Sequence, residues 1–265
     1  MIDLKGFEKY LYEEELSKNT IEVYMRGVRD YSKLHRTITK PFLIDYKQKM
    51  IEKYSPKTVN LRITAMLRYC EYKDIPMKLK QVKTAKQTYV ENVITESQYK
   101  KLMNHLKTDD ELWYYNILLI AKTGMRISEA LKITKKDIIE GKVTIYTKTH
   151  MRTIYFPKSL QEEILLFISD MKADEIVMRG HHGKALTSRG VSEALQRFAK
   201  KYKIPKEVMH PHSFRHFFAQ EFVKRNKNIA LLADILGHSD VKMTQLYLRQ
   251  SQKQQKNAVD SAVNW

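Results

Sequence analysis

Residues 210–249 read HPHSFRHFFAQEFVKRNKNIALLADILGHSDVKMTQLYLR, and the second half of the chain is organised around them. Pro211 suits the first turn of a helix, where its missing N–H would be unpaired anyway. His212 and Arg215, three apart, then share a face near that start. A helix start presents unpaired N–H groups and the positive end of the dipole, which favours an anion. An apolar helix through Ile229, Leu232, Ile235 and Leu236 follows, and Gly237 is placed to end it in the left-handed conformation. His238 sits at that break. Ser239 is positioned to cap another helix, with Tyr247 about two turns along it, past Met243. A phenol able to meet two imidazoles and a guanidinium suggests covalent chemistry on a phosphate.

The whole chain supports a polyanionic partner. Its 265 residues carry a formal charge of +18, which points first to nucleic acid. With 43% hydrophobic residues it has the material for real cores, in one or two domains. No apolar run approaches the ~20 residues that span a bilayer. The amino terminus, MIDLKGFEKYLYEEEL, has no basic region followed by an apolar core, so a cytoplasmic location is expected. Cys70, the single cysteine, lies on an apolar helix face and reads as a buried core thiol.

Residues 1–76 read as helical. Ile21, Tyr24, Val28 and Tyr31 recur at helical spacing, with Asn19-Thr20-Ile21-Glu22 as a capping sequence. Ser55-Pro56 starts another helix, whose buried stripe is Val59, Ile63, Met66, Leu67 and Cys70. Its other face is expected to show Lys57, Arg62 and Arg68, either to solvent or to DNA phosphates. Residues 77–93 lack apolar periodicity, carry four lysines and read as a basic linker. A second domain, 94–265, begins at Ile94, with Thr95 and Gln98 as a capping box and Ile94 and Tyr99 as its staple.

Within that domain, ELWYYNILLIA reads as a buried helix interrupted at Thr123-Gly124. Arg126 opens the next helix. Taken alone, its pairing with Glu129 reads as a surface ion pair of little weight. VTIY and RTIYFP form a β-hairpin with Lys148 at its turn. Helices follow over 160–169 and along Val191, Leu195, Phe198 and Tyr202. His181 and His182 lie in a glycine-bounded loop, and His216 reads as a residue packing within its helix. The expected fold is mainly α with a small β-hairpin in the C-terminal domain.

One cysteine excludes the common zinc-finger patterns, and His210, His212 and His216 lack the glutamate of H-E-x-x-H. No P-loop is present, so nucleotide hydrolysis has no visible cradle. No metal and no cofactor is expected. What remains fits transesterification at a phosphodiester. Arg126 and Arg215 offer bidentate donors to the nonbridging oxygens, where transition-state charge builds. Nearby arginines are expected to lower the Tyr247 pKa, with His212 taking its proton and Lys148 protonating the leaving 5′ oxygen.

The segments TGMRISEAL, HPHSFRHFFA and LGHSDVKMTQLYLR resemble the active-site signatures of the tyrosine recombinase family, the phage-integrase type. The family order of Arg, Lys, His-x-x-Arg, His and Tyr is matched by Arg126, Lys148, His212 with Arg215, His238 and Tyr247. Glu129 matches the usual acidic support residue. The lysine lies in TKTHMR, without the glycines frequent there, which leaves Lys142 as an alternative. Residues 1–75, with the helix SPKTVNLRITAMLRY, resemble the family's helical core-binding domain. The resemblance implies a minimal two-domain site-specific recombinase or integrase acting on double-stranded DNA, without an arm-binding domain. It implies a clamp around the duplex, a 3′-phosphotyrosine intermediate and a Holliday junction. It further implies a homotetramer on two DNA sites, with the C-terminal tail exchanged in trans. Two alternatives stay open: a type IB topoisomerase, and a non-catalytic helix-turn-helix regulator with Leu231, Leu232, Leu236 and Met243 as its core.

Overall fold

The computed structural model describes residues 2–84, 90–146, 151–238, 240–248, 256 and 259–263. The chain divides into two compact units, 1–86 and 87–265. Among the described residues no helix is long and apolar enough to cross a membrane.

The first unit is four helices: α1 (Leu4–Glu13), α2 (Lys18–Ser32), α3 (Lys40–Lys53) and α4 (Pro56–Tyr72). Ser17, not Asn19, caps α2, with its side chain accepting from the Thr20 N–H. The core joins Phe7 and Leu11 to Ile21, Met25, Val28, Tyr46, Ile63, Met66 and Cys70. Gly27 lets α2 and α4 approach closely, since a Cβ there would stand 2.6 Å from that of Ala65. Burial pushes the Cys70 thiol up to about 11, so it stays protonated and packs as an apolar group.

Two further expectations change in this part of the chain. Arg62 is buried rather than on the open face of α4, and its Nη2 pairs with Asp30 Oδ2 of α2 at 3.1 Å. Position 62 falls beside Val59, Ile63 and Met66, and Asp30 makes a cation tolerable there. Lys57 is exposed, while Arg68 pairs with Glu71 at 2.8 Å. The segment expected as a linker is anchored at its apolar residues, with its described lysines exposed. Met77, Leu79 and Val82 lie against the first core, and Asn60 bonds both backbone groups of Val82, at 2.7 and 2.9 Å. Apolar residues two apart in MKLKQ are the signal that helical periodicity does not detect. Val90 and Val93 pack on the second unit.

In the second unit, Thr95 and Gln98 form the capping box of α5 (Glu96–Asp109). The apolar α6 (Glu111–Thr123) runs through the core and ends at Gly124, at φ 63°. A Cβ at Gly124 would overlap the Phe218 ring, so both the left-handed turn and the close approach require glycine. Short helices α7 (Ile127–Ala130) and α8 (Lys135–Glu140) lead to the antiparallel hairpin of β1 (Lys142–Tyr146) and β2 (Met151–Tyr155). Its register opposes Ile145 to Arg152 and Val143 to Ile154 on the inward face. Helices α9 (Lys158–Phe167) and α10 (Ser188–Lys201) complete the core. Then come α11 (Pro211–Arg225), α12 (Ile229–Leu236), α13 (Val241–Gln245) and a 3₁₀ turn, Leu246–Leu248.

Candidate active site

Helix α11 begins with His210 as cap, whose Nδ1 accepts from the Ser213 N–H at 3.2 Å. Ser213 Oγ in turn accepts from the buried Ile94 N–H at 2.8 Å, which anchors the helix start to the beginning of α5. His212, Arg215 and His216 then project from the first two turns. Pro211 stands at the helix start as its chemistry predicts.

The end of α12 is the centre of the site. A helix leaves its last four carbonyls without intrahelical partners, and here three successive carbonyls each receive a guanidinium. Arg152 Nη1 donates to Ile235 O. Arg215 Nη2 donates to Leu236 O at 2.6 Å, and Arg126 Nη2 to Gly237 O at 3.1 Å. Arg215 Nη1 reaches Gly124 O at 2.8 Å, so one buried fork joins the ends of two helices. Burial, with Arg126 and Arg152 nearby, pulls Arg215 down to about 10, which leaves it cationic at neutral pH. Gly237, at φ 63°, ends α12 as its position predicts.

Glu129 is the only acid held in this cluster among the described residues. Its Oε2 accepts from the Arg126 backbone N–H at 2.7 Å and from Arg152 Nη2 at 2.5 Å, and its Oε1 from Arg126 Nη1 at 3.1 Å. The carboxylate is buried, which corrects the reading of a surface ion pair. Breaking such a pair would strand a charge out of water.

His238 follows Gly237, and its Nδ1 bonds Thr244 Oγ1 at 2.8 Å. Ser239 lies outside the described residues; α13 is capped by Asp240. Tyr247 sits not on a long helix but in the 3₁₀ turn after α13, packed against Ala219, Leu232 and Leu236. Its hydroxyl and His216 Nδ1 are 2.7 Å apart. The His238 ring lies nearly parallel to the Tyr247 ring, centroids 6.4 Å apart, and the His212 ring stands 6.2 Å from that of His216.

The structure therefore brings together Arg126, Glu129, His212, Arg215, His238 and Tyr247. Lys148 lies outside the described residues. Lys142 is on the outward face of the hairpin, opposite Tyr155, whereas Arg152 and Ile145 face inward. His216, Thr244 and Arg152 were not anticipated as part of the cluster. The i, i+4 spacing of His212 and His216 was the visible signal for the first.

The expectation of an acidified phenol is overturned. Burial pushes Tyr247 up to about 12, and the opposing pull of Arg215 is the smaller effect. Burial also holds His216 and His238 down to about 4, with His212 and Arg215 adding to the shift at His216, and Arg215, Arg126 and Arg152 at His238. His216 is thus neutral at neutral pH. Its Nε2–H tautomer makes the phenol the donor to Nδ1.

A folded-state pKa below the ordinary 6.5 means that the unfolded chain binds this proton first as pH falls. Stability from the neutral imidazole is complete above 6.5 and is lost as pH falls towards 4. Thermal melting across this window is expected to drop less steeply for His216→Gln than for wild type. Equal slopes would contradict the buried, neutral imidazole.

Leu231 and Met243 are 41% and 57% exposed, whereas the regulator reading requires both in a core. A family model described as the phage integrase family matches residues 92–254. The chain is 26% identical over 269 residues to tyrosine recombinase XerA of Pyrococcus furiosus, across 98% of this chain and 93% of the relative. It is 27% identical over 281 residues to TnP I resolvase of Bacillus thuringiensis, across 97% of this chain and 98% of the relative. Its fold is similar to that of a lambda integrase dimer bound to a COC′ core site, with a TM-score of 0.75 and 16% identity over 99% of this chain and 96% of that one. The matched stretch contains the whole gathered cluster from Arg126 to Tyr247, and the chain belongs to the phage integrase family, that of the tyrosine recombinases.

Proposed function

We propose that the chain is a site-specific DNA recombinase that cleaves and rejoins double-stranded DNA through Tyr247. The observation that carries this reading is the 2.7 Å link between the Tyr247 hydroxyl and a neutral His216, beside a turn held by three guanidiniums. Arg126 and Arg215 each keep unused N–H donors after their carbonyl bonds, because a guanidinium has five. Those donors meet the nonbridging oxygens of the scissile phosphate, with His212 and His238 as neutral N–H donors beside them.

The phenolic oxygen attacks phosphorus and its proton passes to His216 Nδ1, rather than to His212. At pH 7 a phenol near 12 is almost entirely protonated, so transfer during attack, not prior ionisation, is the accessible route. A phosphodiester in the site adds a negative charge that raises the imidazole's proton affinity towards the working range of a general base. The bond from phosphorus to the 5′ oxygen breaks, and that oxygen takes a proton from Lys148. Lys148 is favoured over Lys142 because the latter is on the hairpin face opposite Arg152. A 3′-phosphotyrosine and a free 5′ hydroxyl result. Attack by the 5′ hydroxyl of a partner strand reverses the step without any cofactor.

Two rounds of exchange pass through a four-way junction. We extend the reading to four protomers on two sites, with the tail passed between neighbours. Val259 and Val263 are exposed in the described part of that tail and suit such a contact. The same reading assigns Lys57 and Arg68 to DNA phosphates and the enzyme to the cytoplasm.

The test is to incubate the protein with fragmented DNA flanking its gene, denature, and sequence any fragment that stays attached. The expected result is one recurring site, linked at a 3′ end, and exchange between two labelled copies of it. No adduct would reject the reading. Relaxation of supercoils without exchange would assign a topoisomerase instead.

A further inference from the structure

Arg152 has no role in the steps above, yet it is 8% exposed at the centre of the cluster. Strand β2 directs it inward, opposite Ile145. Its two terminal nitrogens serve different elements: Nη2 gives to Glu129 Oε2, and Nη1 to the Ile235 carbonyl in the last turn of α12. Its buried Nε has no partner among the described residues. Burial draws its pKa down, against the pull of Glu129, and it remains a cation next to Arg126 and Arg215. Gly237 crosses directly over it, and a Cβ at that position would collide with Arg152 Cδ and Nε. Two buried guanidiniums and a partly exposed third, for one buried carboxylate, is an arrangement that stability alone does not favour.

We propose that Arg152 is a positioning residue for strand cleavage, a reading that rests on Tyr247 as the nucleophile. Its fork locks the Glu129 carboxylate to the end of α12. Glu129 in turn holds the backbone and side chain of Arg126, while the end of α12 carries Gly237 and His238. One planar group therefore sets the spacing between Arg126 and His238 before DNA arrives. It also ties β2, which begins just after residues 147–150, to the same turn. A lysine ammonium at position 152 supplies charge but cannot hold a carboxylate and a carbonyl at a fixed separation.

The test uses the full chain on the DNA site recovered from wild-type adducts. Affinity, thermal melting and single-turnover cleavage are measured for wild type, Arg152→Lys and Arg152→Met. Because misplacement of reacting groups by about 1 Å costs roughly 100-fold in rate, Arg152→Met is expected to cleave about 100-fold more slowly. Arg152→Lys is expected to fall about 10-fold, with part of the rate rescued by its charge and with affinity and melting close to wild type. Should Arg152→Met fail to fold, Arg152→Lys decides alone. Wild-type cleavage by Arg152→Lys overturns the proposal, as does a loss of cleavage matched by equal losses of affinity or melting temperature. Wild-type adducts with unaffected Arg152 variants sink this inference only, whereas absence of the wild-type adduct sinks both readings.

Discussion

Tyr247→Phe is expected to bind the same DNA as wild type, fold to a similar stability, and form no covalent adduct. The ring packs against Ala219, Leu232 and Leu236, and phenylalanine keeps that packing. The hydroxyl contributes one hydrogen bond, to His216, whose loss costs about 1 kcal/mol. The chemical loss is complete by contrast, because no other atom of the side chain can form the ester. Denaturing electrophoresis on a nicked substrate whose 5′ product diffuses away reads the adduct directly. A persistent adduct in Tyr247→Phe would identify a different nucleophile. Loss of DNA binding together with the adduct would mean that Tyr247 serves the fold of the site instead.

The second large effect is expected at Arg215. It is 4% exposed, and its two ends hold the carbonyls of Gly124 and Leu236. Lysine cannot span both, and it offers no planar fork to a phosphate. Removing one preorganised donor from a site of developing negative charge typically costs about 10²–10³-fold in rate, so Arg215→Lys is expected to cleave more slowly by that factor or more. Arg215→Ala should also melt earlier, since each buried carbonyl left without a donor costs about 1–3 kcal/mol. Single-turnover cleavage and thermal melting separate the two variants. Arg215→Lys cleaving at the wild-type rate would remove Arg215 from the reaction.

Much of this architecture was legible before any coordinates. Proline at the start of α11, glycine at the ends of α6 and α12, and Thr95 with Gln98 at α5 act through their own backbone chemistry, which needs no distant partner. The hairpin was readable for a similar reason, because alternation along β1 and β2 reports which face is inward. In the linker stretch the period changes: Met77 and Leu79 alternate like a strand and, among the described residues, pair with none.

Side chains whose meaning depends on a remote element were not legible. Arg62 looked like one more cation on an open face, and only Asp30 on another helix makes it a buried one. His216 looked local until the 3₁₀ turn returned Tyr247 to within 2.7 Å of its ring. Arg152 faces inward by simple alternation, but its partner carbonyl lies 83 residues further along the chain.

The direction of the Tyr247 shift belongs with these. Arginines in the sequence argue for a lowered pKa; their effect is outweighed by desolvation, a quantity that exists only once the ring is packed. By itself, the order of residues determined the helices, their ends, the inward faces and the chemical inventory, because those follow from local geometry and side-chain type. Tertiary structure alone decided which cations meet which carbonyls, which imidazole holds the phenol and how each proton is shared, because hydrogen bonding and burial are set by atoms that the chain brings together only when folded.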